Sequence, residues 1–399
     1  MTLSNKKILV GISGGIAAYK IPELIRNLRK AGAEVRVTTT RHALEFVTEL
    51  TLQTVSGARV YSDVFAAINE HATEHISLPD WCDAMIVAPA TANVLGKMAA
   101  GIADDALTTT FASCAARKPV VVAPAMNDKM WENPATQKAV AELRRWPNIR
   151  VLEPAEGELA CGVVGKGRMP EADILQEAVA AALTTKTMSG RRVLITAGGT
   201  TEPIDPVRCI SNHSTGKMGF ALAHECARRG AEVTLIAGAV TAQLHNPEIH
   251  RIDVGTAREM HRACMDAWPT HDTAILCAAV ADFAPEAAEQ KIKKQPGQTE
   301  LLLPLHTTPD IARSMGETKR TDQRLIGFAL ETDHEEANAL RKMENKHLDA
   351  IVLNSLREAG AGFGHDTNCV TVLTADGRSA SLPLASKAEI ASGILDTLI

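Results

Sequence analysis

Three residues in the first half of the chain have side chains suited to proton transfer or carboxylate binding: His75, Asn127 and Cys161. A histidine can act as a base at neutral pH, although a lone histidine is more often structural or solvated. Asn127 follows an apolar run, where an amide can bind a carboxylate or equally cap the next helix. Cys161 lies in a glycine-rich loop, which favours a thiol that must reach a site over a buried apolar cysteine.

A second set of chemical groups lies in the second half of the chain. Residues 205–219, DPVRCISNHSTGKMG, place hydroxyl and amide groups and glycines directly ahead of an apolar pattern with helical spacing. Asp282 follows an apolar run, and the polar run from Glu289 to Lys294 contains three lysines. Such a run is usually a solvated surface, but lysines close behind an aspartate at a strand end also suit a triphosphate with its metal ion.

The elements that must position these groups follow the same order twice. Residues 6–15 have the pattern of a strand and a glycine turn, residues 17–28 carry an apolar helical stripe, and residues 34–39 form a further strand. Residues 191–237 repeat this order with a larger first loop, which contains Asn212. The sequence therefore predicts two βαβ units.

These units predict an α/β protein with two Rossmann-like domains, each with a site outside the carboxyl ends of its strands. A length of 399 residues exceeds what one core usually holds. The polar residues 183–190 follow an alanine-rich helix and precede a new strand, so they mark the boundary. We expect one domain over residues 1–185 and a second over residues 186–399.

Small or polar residues follow three predicted strands of the first domain. They are Ser13-Gly14-Gly15, Thr91-Ala92-Asn93 and Ala125-Met126-Asn127. Loops of this composition let a ligand approach the backbone, as a mononucleotide or flavin site requires. Residues 42–80 are expected to be helical and irregular, with His75 ahead of the strand at residues 83–89.

The common nucleotide-binding fingerprints do not fit. The first loop, GISGG, does not match GxGxxG, which disfavours a dinucleotide dehydrogenase. The pair Gly216-Lys217 lacks the upstream glycine of a Walker A loop, where Ser211 stands, and the following Ser or Thr, where Met218 stands. A P-loop NTPase is therefore disfavoured as well.

The composition is that of an ordinary globular protein, with 45% hydrophobic and 22% charged residues. A net charge of −5 and the lack of a basic run with aromatics argue against a nucleic-acid partner. We find no signal peptide or membrane-length apolar run, so we expect a cytoplasmic protein without a membrane partner. The eight cysteines include no CxxC pair and suggest neither a zinc site nor a disulfide framework.

Several motifs resemble known enzyme families. SGGIAAYK, the histidine before PATAN, PAMN and ACG with GRM are similar to flavin-dependent cysteine decarboxylases. TAGGT, EPIDPVR, SNHSTGKMGF, AAVADF and KIKK resemble phosphopantothenate–cysteine ligase. In this order on one chain they resemble the bifunctional phosphopantothenoylcysteine decarboxylase/phosphopantothenate–cysteine ligase family of bacterial coenzyme A synthesis. The resemblance covers nearly the whole chain.

For the first half, the resemblance implies a flavodoxin-like decarboxylase domain that uses FMN to oxidise the substrate thiol, so that the carboxylate can leave. It implies that His75 is a base, that Asn127 binds the substrate carboxylate and that Cys161 supplies a proton. The run at residues 103–106 and the KGRM at residues 166–169 depart from the usual motifs without removing a proposed catalytic group. The implied FMN contacts are Ser13, Gly14, Gly15, Ile16, Thr40, Thr91, Ala92, Asn93 and Ala125.

For the second half, the resemblance implies a CTP-dependent ligase with cysteine as the amine. Lys291 would assist formation of an acyl-cytidylate, Asn212 would hold it, and Arg208 would bind the phosphate of 4′-phosphopantothenate. Asp282 would contact CTP or its Mg²⁺. Departures at Thr201, Cys209 and Ser355 bear on substrate affinity. The implied CTP contacts are Cys277, Ala278, Asp282, Pro309, Asp310, Ile311, Ala312, Phe328, Lys342 and Lys346, the last two spaced to project from one helix face.

The resemblance also implies a homo-oligomer, a dodecamer of decarboxylase trimers and ligase dimers, with pairing through the glycine loop and edge hairpin that begin at Ala361. Three alternatives stay open. One half is a binding or regulatory module without turnover, or the chain is a flavin decarboxylase of peptide C-terminal cysteines, or the second half is a nicotinamide-dependent reductase. The missing GxGxxG disfavours the last of these.

Overall fold

The chain forms two compact units, Met1–Thr184 and Thr185–Ile399. Each is built on its own largely parallel sheet with helices on both faces, which confirms the expected α/β class. The computed structural model describes residues 3–65, 73–158, 164–331, 334–355, 362 and 364–398.

The first unit contains eight strands and eight α-helices among its described residues, together with 3-10 helices at Ile16–Lys20 and Arg41–Glu45. The strands are β1 (Lys7–Ile12), β2 (Glu34–Thr39), β3 (Val60–Tyr61), β4 (Ala84–Ala90), β5 (Val120–Pro124), β6 (Ile149–Val151), β7 (Ala155–Glu158) and β8 (Val164–Arg168). The helices are α1 (Ile21–Lys30), α2 (Glu49–Ser56), α3 (Glu74–Trp81), α4 (Ala92–Ala100), α5 (Ala106–Ala115), α6 (Asp128–Glu132), α7 (Pro134–Arg144) and α8 (Ala172–Leu183).

The main sheet of this unit is parallel in the order β3-β2-β1-β4-β5-β6. The chain runs outward from β1 in one direction through β2 and β3, and then returns to the other side of β1 with β4. The order therefore reverses between β1 and β4, which is where open α/β sheets place their ligands. A separate antiparallel pair, β7 and β8, follows β6.

Strand β1 shows why the sheet is buried on both faces. Ile8, Val10 and Ile12 pack with α1 and α8, whereas Leu9 packs on the opposite face with α4, α5 and α7. Alternate side chains of a strand point to opposite faces, so an uninterrupted apolar run fills both layers.

One detail of the first unit differs from the sequence-based expectation. The stretch 42–80, expected to be helical and irregular, also contains the short strand β3, whose two residues pair with Val37 and Thr38 of β2. A two-residue strand carries too little periodicity to be recognised. His75 lies in the first turn of α3 and precedes β4, as expected.

The second unit contains twelve strands and five α-helices among its described residues, with a 3-10 helix at Trp268–Thr270. The strands are β9 (Arg192–Ala197), β10 (Thr201–Pro203), β11 (Cys209–Ser211), β12 (Glu232–Ala237), β13 (His250–Asp253), β14 (Thr273–Leu276), β15 (Phe283–Pro285), β16 (Leu305–Thr307), β17 (Arg324–Glu331), β18 (Ala350–Ser355), β19 (Thr367–Thr374) and β20 (Ser379–Ser386). The helices are α9 (Lys217–Arg228), α10 (Ala257–Ala267), α11 (Ile311–Glu317), α12 (Glu335–Asn345) and α13 (Lys387–Leu398).

Its main sheet has the order β13-β12-β9-β14-β17-β18-β19-β20, and its order reverses between β9 and β14. The first six of these strands are parallel, and β19 and β20 add an antiparallel hairpin at one edge, as the sequence predicted. Helices α9 and α13 cover one face, and α10, α11 and α12 cover the other. Two small antiparallel pairs, β10 with β11 and β15 with β16, stand outside this sheet.

Within the described residues, no helix is long and apolar enough to cross a membrane.

Candidate active sites

The first candidate site lies at the reversal point of the first sheet, where the loops after β1 and β4 are joined. Ser13 Oγ donates to Pro89 O at 2.7 Å, and Thr91 N donates to Ser13 Oγ at 3.1 Å. Thr91 also caps α4, since its side chain accepts from Val94 N. The structure therefore brings the Ser13 and Thr91 loops together at one edge.

This edge of the sheet exposes the backbone of a glycine, Gly14, and contains a buried hydroxyl without a hydrogen-bond partner among the described residues, that of Thr40. A Cβ on Gly14 would lie 2.5 Å from His42 Cβ, so the close approach of the two segments requires glycine. Thr40 Oγ1 at the end of β2 is buried and has no hydrogen-bond partner among the described residues. Buried hydroxyls are normally satisfied, and a bound phosphate or polar ring edge supplies such a partner. The residues at this edge therefore fit a flavin mononucleotide.

Asn127 follows β5 and caps a helix, which confirms the capping interpretation, whereas binding of a carboxylate stays a prediction. Its Oδ1 accepts from Lys129 N at 3.0 Å at the start of α6. The neighbouring Met126 N donates to Gly167 O at 3.0 Å, and a Cβ on Gly167 would lie 2.2 Å from Met126 O. Strand β8 is thus held directly against the Asn127 loop.

The other two proposed groups of the decarboxylase site stand on separate segments. His75 Nδ1 is buried without a hydrogen-bond partner among the described residues. Cys161 lies outside the described residues, between β7 and β8.

The second candidate site is a cavity of about 600 Å³ at the reversal point between β9 and β14. Residues from many separate segments of the second unit form it, from Thr196 in β9 to Lys387 in α13. Those among them that the sequence analysis had singled out are Asn212, Cys277, Ala278, Asp282, Pro309, Asp310, Ile311, Ala312, Phe328, Lys342 and Lys346.

Asn212 is fixed by the main chain that leaves β14. Its Nδ2 donates to Ala279 O at 2.8 Å, and Ala279 N donates to Gly198 O at 2.8 Å. Strand β14 ends at Leu276, although the apolar run of the sequence continues to Ala279. These bonds explain the early end, because the chain turns here to meet the glycine loop after β9. The amide of Asn212 is therefore positioned at the wall of the cavity.

The N-terminus of α9 opens onto the same cavity. Gly216 is its N-cap with a φ of 78°, and Gly216, Lys217, Met218 and Gly219 all line the cavity. A Cβ on Gly219 would lie 2.5 Å from Ala197 Cβ, so this glycine lets α9 approach β9 closely. Exposed N–H groups at a helix N-terminus favour anionic groups such as phosphates.

Charged side chains also line the cavity. Lys346 Nζ lies 2.9 Å from Asp310 Oδ2, and Asp310 caps α11 by accepting from Arg313 N at 3.0 Å. Burial acts to raise the pKa of Asp310, but the Arg313 N–H and the Lys346 ammonium outweigh it and hold the pKa below its usual range. Asp282 is exposed, and its carboxylate has no hydrogen-bond partner within the described part of the chain.

Lys342 and Lys346 both line the cavity, but they do not both belong to a helix. Helix α12 ends at Asn345, and Lys346 is its C-cap with a φ of −113°. The next residue, His347, has a φ of 54°, so the chain has already left the helical conformation. The i, i+4 spacing therefore places only Lys342 on the helix itself.

Two predicted ligase residues do not line the cavity. Arg208 is paired with Asp205, whose Oδ2 accepts from Arg208 Nε at 3.0 Å. Lys291 is exposed in the segment 286–304 that connects β15 to β16. Their proposed roles stay predictions.

The cavity also contains polar residues that the sequence analysis missed. Lys387 at the start of α13 is only 8% exposed, and Lys217 Nζ binds Asp366 Oδ1 at 2.6 Å. Burial lowers the pKa of Lys387, and the positive charge of Lys217 adds to this shift. Asn354 Oδ1, at the end of β18, is buried without a partner among the described residues. Lys217 was visible as part of a Gly-Lys pair, whereas Lys387 has no local signal.

Comparison with known proteins assigns a family to each unit. Residues 1–184 match the Flavoprotein family, and residues 188–399 match the DNA/pantothenate metabolism flavoprotein C-terminal domain. A coenzyme A biosynthesis bifunctional protein of Bacillus subtilis is 44% identical over 400 residues, which cover 99% of this chain and 97% of that protein. A cysteine/cysteine sulfinic acid decarboxylase from an unknown prokaryotic organism is 46% identical over 359 residues, covering 88% of this chain and 99% of that protein.

Among solved structures, the C-terminal domain of a coenzyme A biosynthesis bifunctional protein matches 54% of this chain and 96% of its own chain, with 36% identity and a TM-score of 0.46. The two family models together span nearly all residues, in the same order as the two structural units. With 44% identity to a bifunctional relative over almost the full length of both chains, the protein belongs to the family of coenzyme A biosynthesis bifunctional proteins.

Proposed function

We propose that this chain catalyses two consecutive reactions of coenzyme A biosynthesis. The second unit ligates 4′-phosphopantothenate to cysteine with CTP, and the first unit decarboxylates the resulting phosphopantothenoylcysteine to 4′-phosphopantetheine. The observation that carries this proposal is that a chain similar over its full length to a bifunctional relative has a candidate site at the reversal point of each of its two sheets.

Ligation requires activation of a carboxylate, since hydroxide is a poor leaving group. The carboxylate of 4′-phosphopantothenate attacks the α-phosphate of CTP, and pyrophosphate leaves; the amine of cysteine then attacks the acyl carbon, and CMP leaves. The cavity offers the N-terminus of α9, Lys342 and Lys346 for the phosphates. Asn212 would hold the acyl-cytidylate, and Lys291 would stabilise charge while it forms.

Magnesium would enter with the nucleotide. Mg²⁺ is usually held by one or two carboxylates together with substrate phosphates and water. Asp282 lines the cavity with an exposed carboxylate, which fits this role, whereas Asp310 is already paired with Lys346. We therefore assign Asp282 to the metal ion.

Decarboxylation requires an electron sink next to the carboxylate. FMN, when bound, supplies a two-electron acceptor that oxidises the substrate thiol and later returns the electrons. Ser13, Thr40 and Thr91 would hold it through hydroxyl and backbone groups. Asn127 would bind the substrate carboxylate, His75 would accept a proton at its buried Nδ1, and Cys161 would return one to the product.

Product analysis by mass spectrometry tests this function. The purified chain is incubated with 4′-phosphopantothenate, cysteine, Mg²⁺, FMN and either CTP or ATP. Phosphopantetheine together with CMP and pyrophosphate is the expected result. Phosphopantothenoylcysteine as the final product would refute the decarboxylase assignment, and intact CTP and ATP would refute the ligase assignment.

Decarboxylation of free cysteine or cysteine sulfinic acid is a second candidate, because one relative with 46% identity is named for it. It leaves the cavity of the second unit without a role, since that reaction consumes no nucleotide. Incubation with cysteine and FMN alone distinguishes the two, because release of CO2 without nucleotide would support this second candidate.

We also propose that the protein assembles into a homo-oligomer, in the form of a dodecamer built from decarboxylase trimers and ligase dimers. The support is the family resemblance of the sequence. Analytical ultracentrifugation tests it, and a monomer at micromolar concentration would contradict it.

A further inference from the structure

The turn between β10 and β11 is organised by the carboxylate of Asp205, whose side chain is 0% exposed. Oδ1 accepts from Val207 N at 2.8 Å and from Arg208 N at 2.9 Å. Oδ2 accepts from Arg208 Nε at 3.0 Å and from Ile292 N at 3.1 Å. A single carboxylate therefore joins this turn to a second segment more than eighty residues further along the chain.

The contact at Ile292 involves both of its main-chain groups. Its N–H donates to Asp205 Oδ2, and its carbonyl accepts from Arg208 Nη2 at 2.9 Å. The Asp205–Arg208 pair thus holds the peptide that directly follows Lys291. The Arg208 guanidinium and the N–H groups outweigh the effect of burial and keep the pKa of Asp205 well below its usual range, so the clamp is ionised at neutral pH.

Few other bonds hold this segment. Residues 286–304 contain no helix or strand, and the remaining hydrogen bond that joins them to the rest of the described unit runs from Ala288 N to Ile204 O at 2.9 Å. The bonds of Gln295 and Gln298 stay within the segment. The position of Lys291 is therefore set largely by the turn that contains Asp205.

The same turn leads directly to the other proposed ligase residue. Strand β11 runs from Cys209 to Ser211, and Asn212 follows at the cavity wall. Since Asp205 and Arg208 bind Ile292 from this hairpin, they couple the Lys291 segment to the strand that leads to Asn212. Precise placement of a charged group is worth large factors in rate, because a shift of about 1 Å can cost about a hundredfold.

We propose that Asp205 is a positioning residue for the ligase reaction: with Arg208, it clamps the main chain at Ile292 and so holds Lys291 for formation of the acyl-nucleotide. The inference rests on the proposed function. It also gives Arg208 a structural task that differs from binding the substrate phosphate.

The test is a double-mutant cycle on the full-length chain. Asp205→Asn keeps an oxygen for Val207 and Arg208 but turns an NH2 group toward the Ile292 N–H, so the clamp opens. We expect CTP–pyrophosphate exchange in the presence of 4′-phosphopantothenate to fall about tenfold or more. In a Lys291→Gln chain, the same change should alter the residual exchange less than about twofold, because Asp205 acts through Lys291.

A protease readout does not depend on turnover. Lys291, Lys293 and Lys294 are exposed, so trypsin should cleave Asp205→Asn several-fold faster at these sites than the wild-type chain. The matched control is Asp322→Asn, which breaks an exposed aspartate–arginine pair with Arg320 in the same unit and should leave exchange and cleavage unchanged. Trypsin cleavage of Asp205→Asn confined to these three lysines, with the rest of the second unit as resistant as in the wild-type chain, would show that the variant folds.

Three results would overturn the inference. Unchanged exchange in Asp205→Asn would do so, as would unchanged cleavage after Lys291, Lys293 and Lys294. An equal fall in exchange with and without Lys291, especially with a raised KM for 4′-phosphopantothenate, would show that Asp205 acts through Arg208 on the substrate. If the wild-type chain shows no exchange at all, the proposed ligation fails and this inference fails with it.

Discussion

The side-chain amide of Asn212 bonds to the main chain and also lines the cavity of the second unit. Its Nδ2 donates to Ala279 O at 2.8 Å, and the amide has no other hydrogen-bond partner among the described residues. The bond to Ala279 fixes the side chain, so its remaining donor and its oxygen would be held in place for the proposed acyl-cytidylate. An amide is suited to this task because it can donate and accept at once.

Replacing this amide by a carboxylate should separate the two steps of ligation. Asn212→Asp places a negatively charged oxygen opposite Ala279 O and opposite the phosphate of the intermediate, so we expect amide formation to fall about a hundredfold, as for loss of one oriented donor. CTP–pyrophosphate exchange should persist, because it does not require attack by cysteine. Quenched-flow analysis of acyl-cytidylate and of amide product measures both.

A chemically matched control for this prediction lies in the other unit. Asn148 Nδ2 also donates to backbone carbonyl groups, those of Ala115 and Ala116. Asn148→Asp should therefore leave ligation unchanged. A ligation rate in Asn212→Asp equal to that of the wild-type chain would contradict the proposed role.

The sequence singled out candidate residues better than it predicted the geometry around them. Asn212 and Asp282 stand in loops beside predicted strands or helices, whereas Lys342 and Lys346 were implied by the family resemblance. The sequence could not predict that Lys217 and Lys387 line the same cavity, because their proximity results from the packing of α13 beside α9. The contact of Asp205 and Arg208 with Ile292 could not be predicted either, because Ile292 takes part through its main-chain N–H and carbonyl and not through its side chain.

Strands and helices place the candidate sites where the two sheets reverse their order. Buried parallel strands are continuous apolar runs, so β1, β4, β5 and β9 were predictable from composition alone. The order in which the strands pair could not be predicted in this way, because it depends on contacts between residues far apart in sequence. The same limit explains the length of β14, which ends early because the main chain at Ala279 bonds to the glycine loop.

The approach of β8 to the Asn127 loop makes a prediction at this scale. In Gly167→Ala, the new Cβ would lie 2.2 Å from Met126 O, so β8 must move away from the loop that precedes α6. We expect decarboxylation to fall about tenfold or more, with a loss of about 1–3 kcal/mol in the free energy of unfolding of the first unit. Ligation should not change. Activity assays and thermal unfolding measure the three effects.

Gly96→Ala supplies the matched control, because a Cβ at Gly96 in α4 would meet nothing within 4 Å. An alanine in place of a helical glycine should raise the free energy of unfolding by about 0.5–1 kcal/mol and leave both activities intact. Normal decarboxylation by Gly167→Ala would show that the contact of β8 with Met126 has no part in the reaction.

Each of the two units has its own hydrophobic core. The two hydrophobic clusters of the first unit contain residues between Leu3 and Leu183, and those of the second unit contain residues between Met188 and Leu398. Among the described residues, those that line the cavity belong to the second unit, and the joined loops at Ser13 and Thr91 belong to the first. A substitution in one site should therefore leave the other site folded and active.

This independence predicts complementation between chains. Asn212→Asp should lack ligation but keep decarboxylation, and His75→Asn should lack decarboxylation but keep ligation, because the two residues stand in different units. Neither variant alone should convert 4′-phosphopantothenate, cysteine and CTP to 4′-phosphopantetheine, whereas a mixture of the two purified variants should do so through released phosphopantothenoylcysteine. Mass spectrometry of the mixture measures the product. The mixture could fail to form 4′-phosphopantetheine although each variant still carries out its remaining reaction with added substrate. This result would contradict the prediction and show that phosphopantothenoylcysteine must pass between the two sites of one chain.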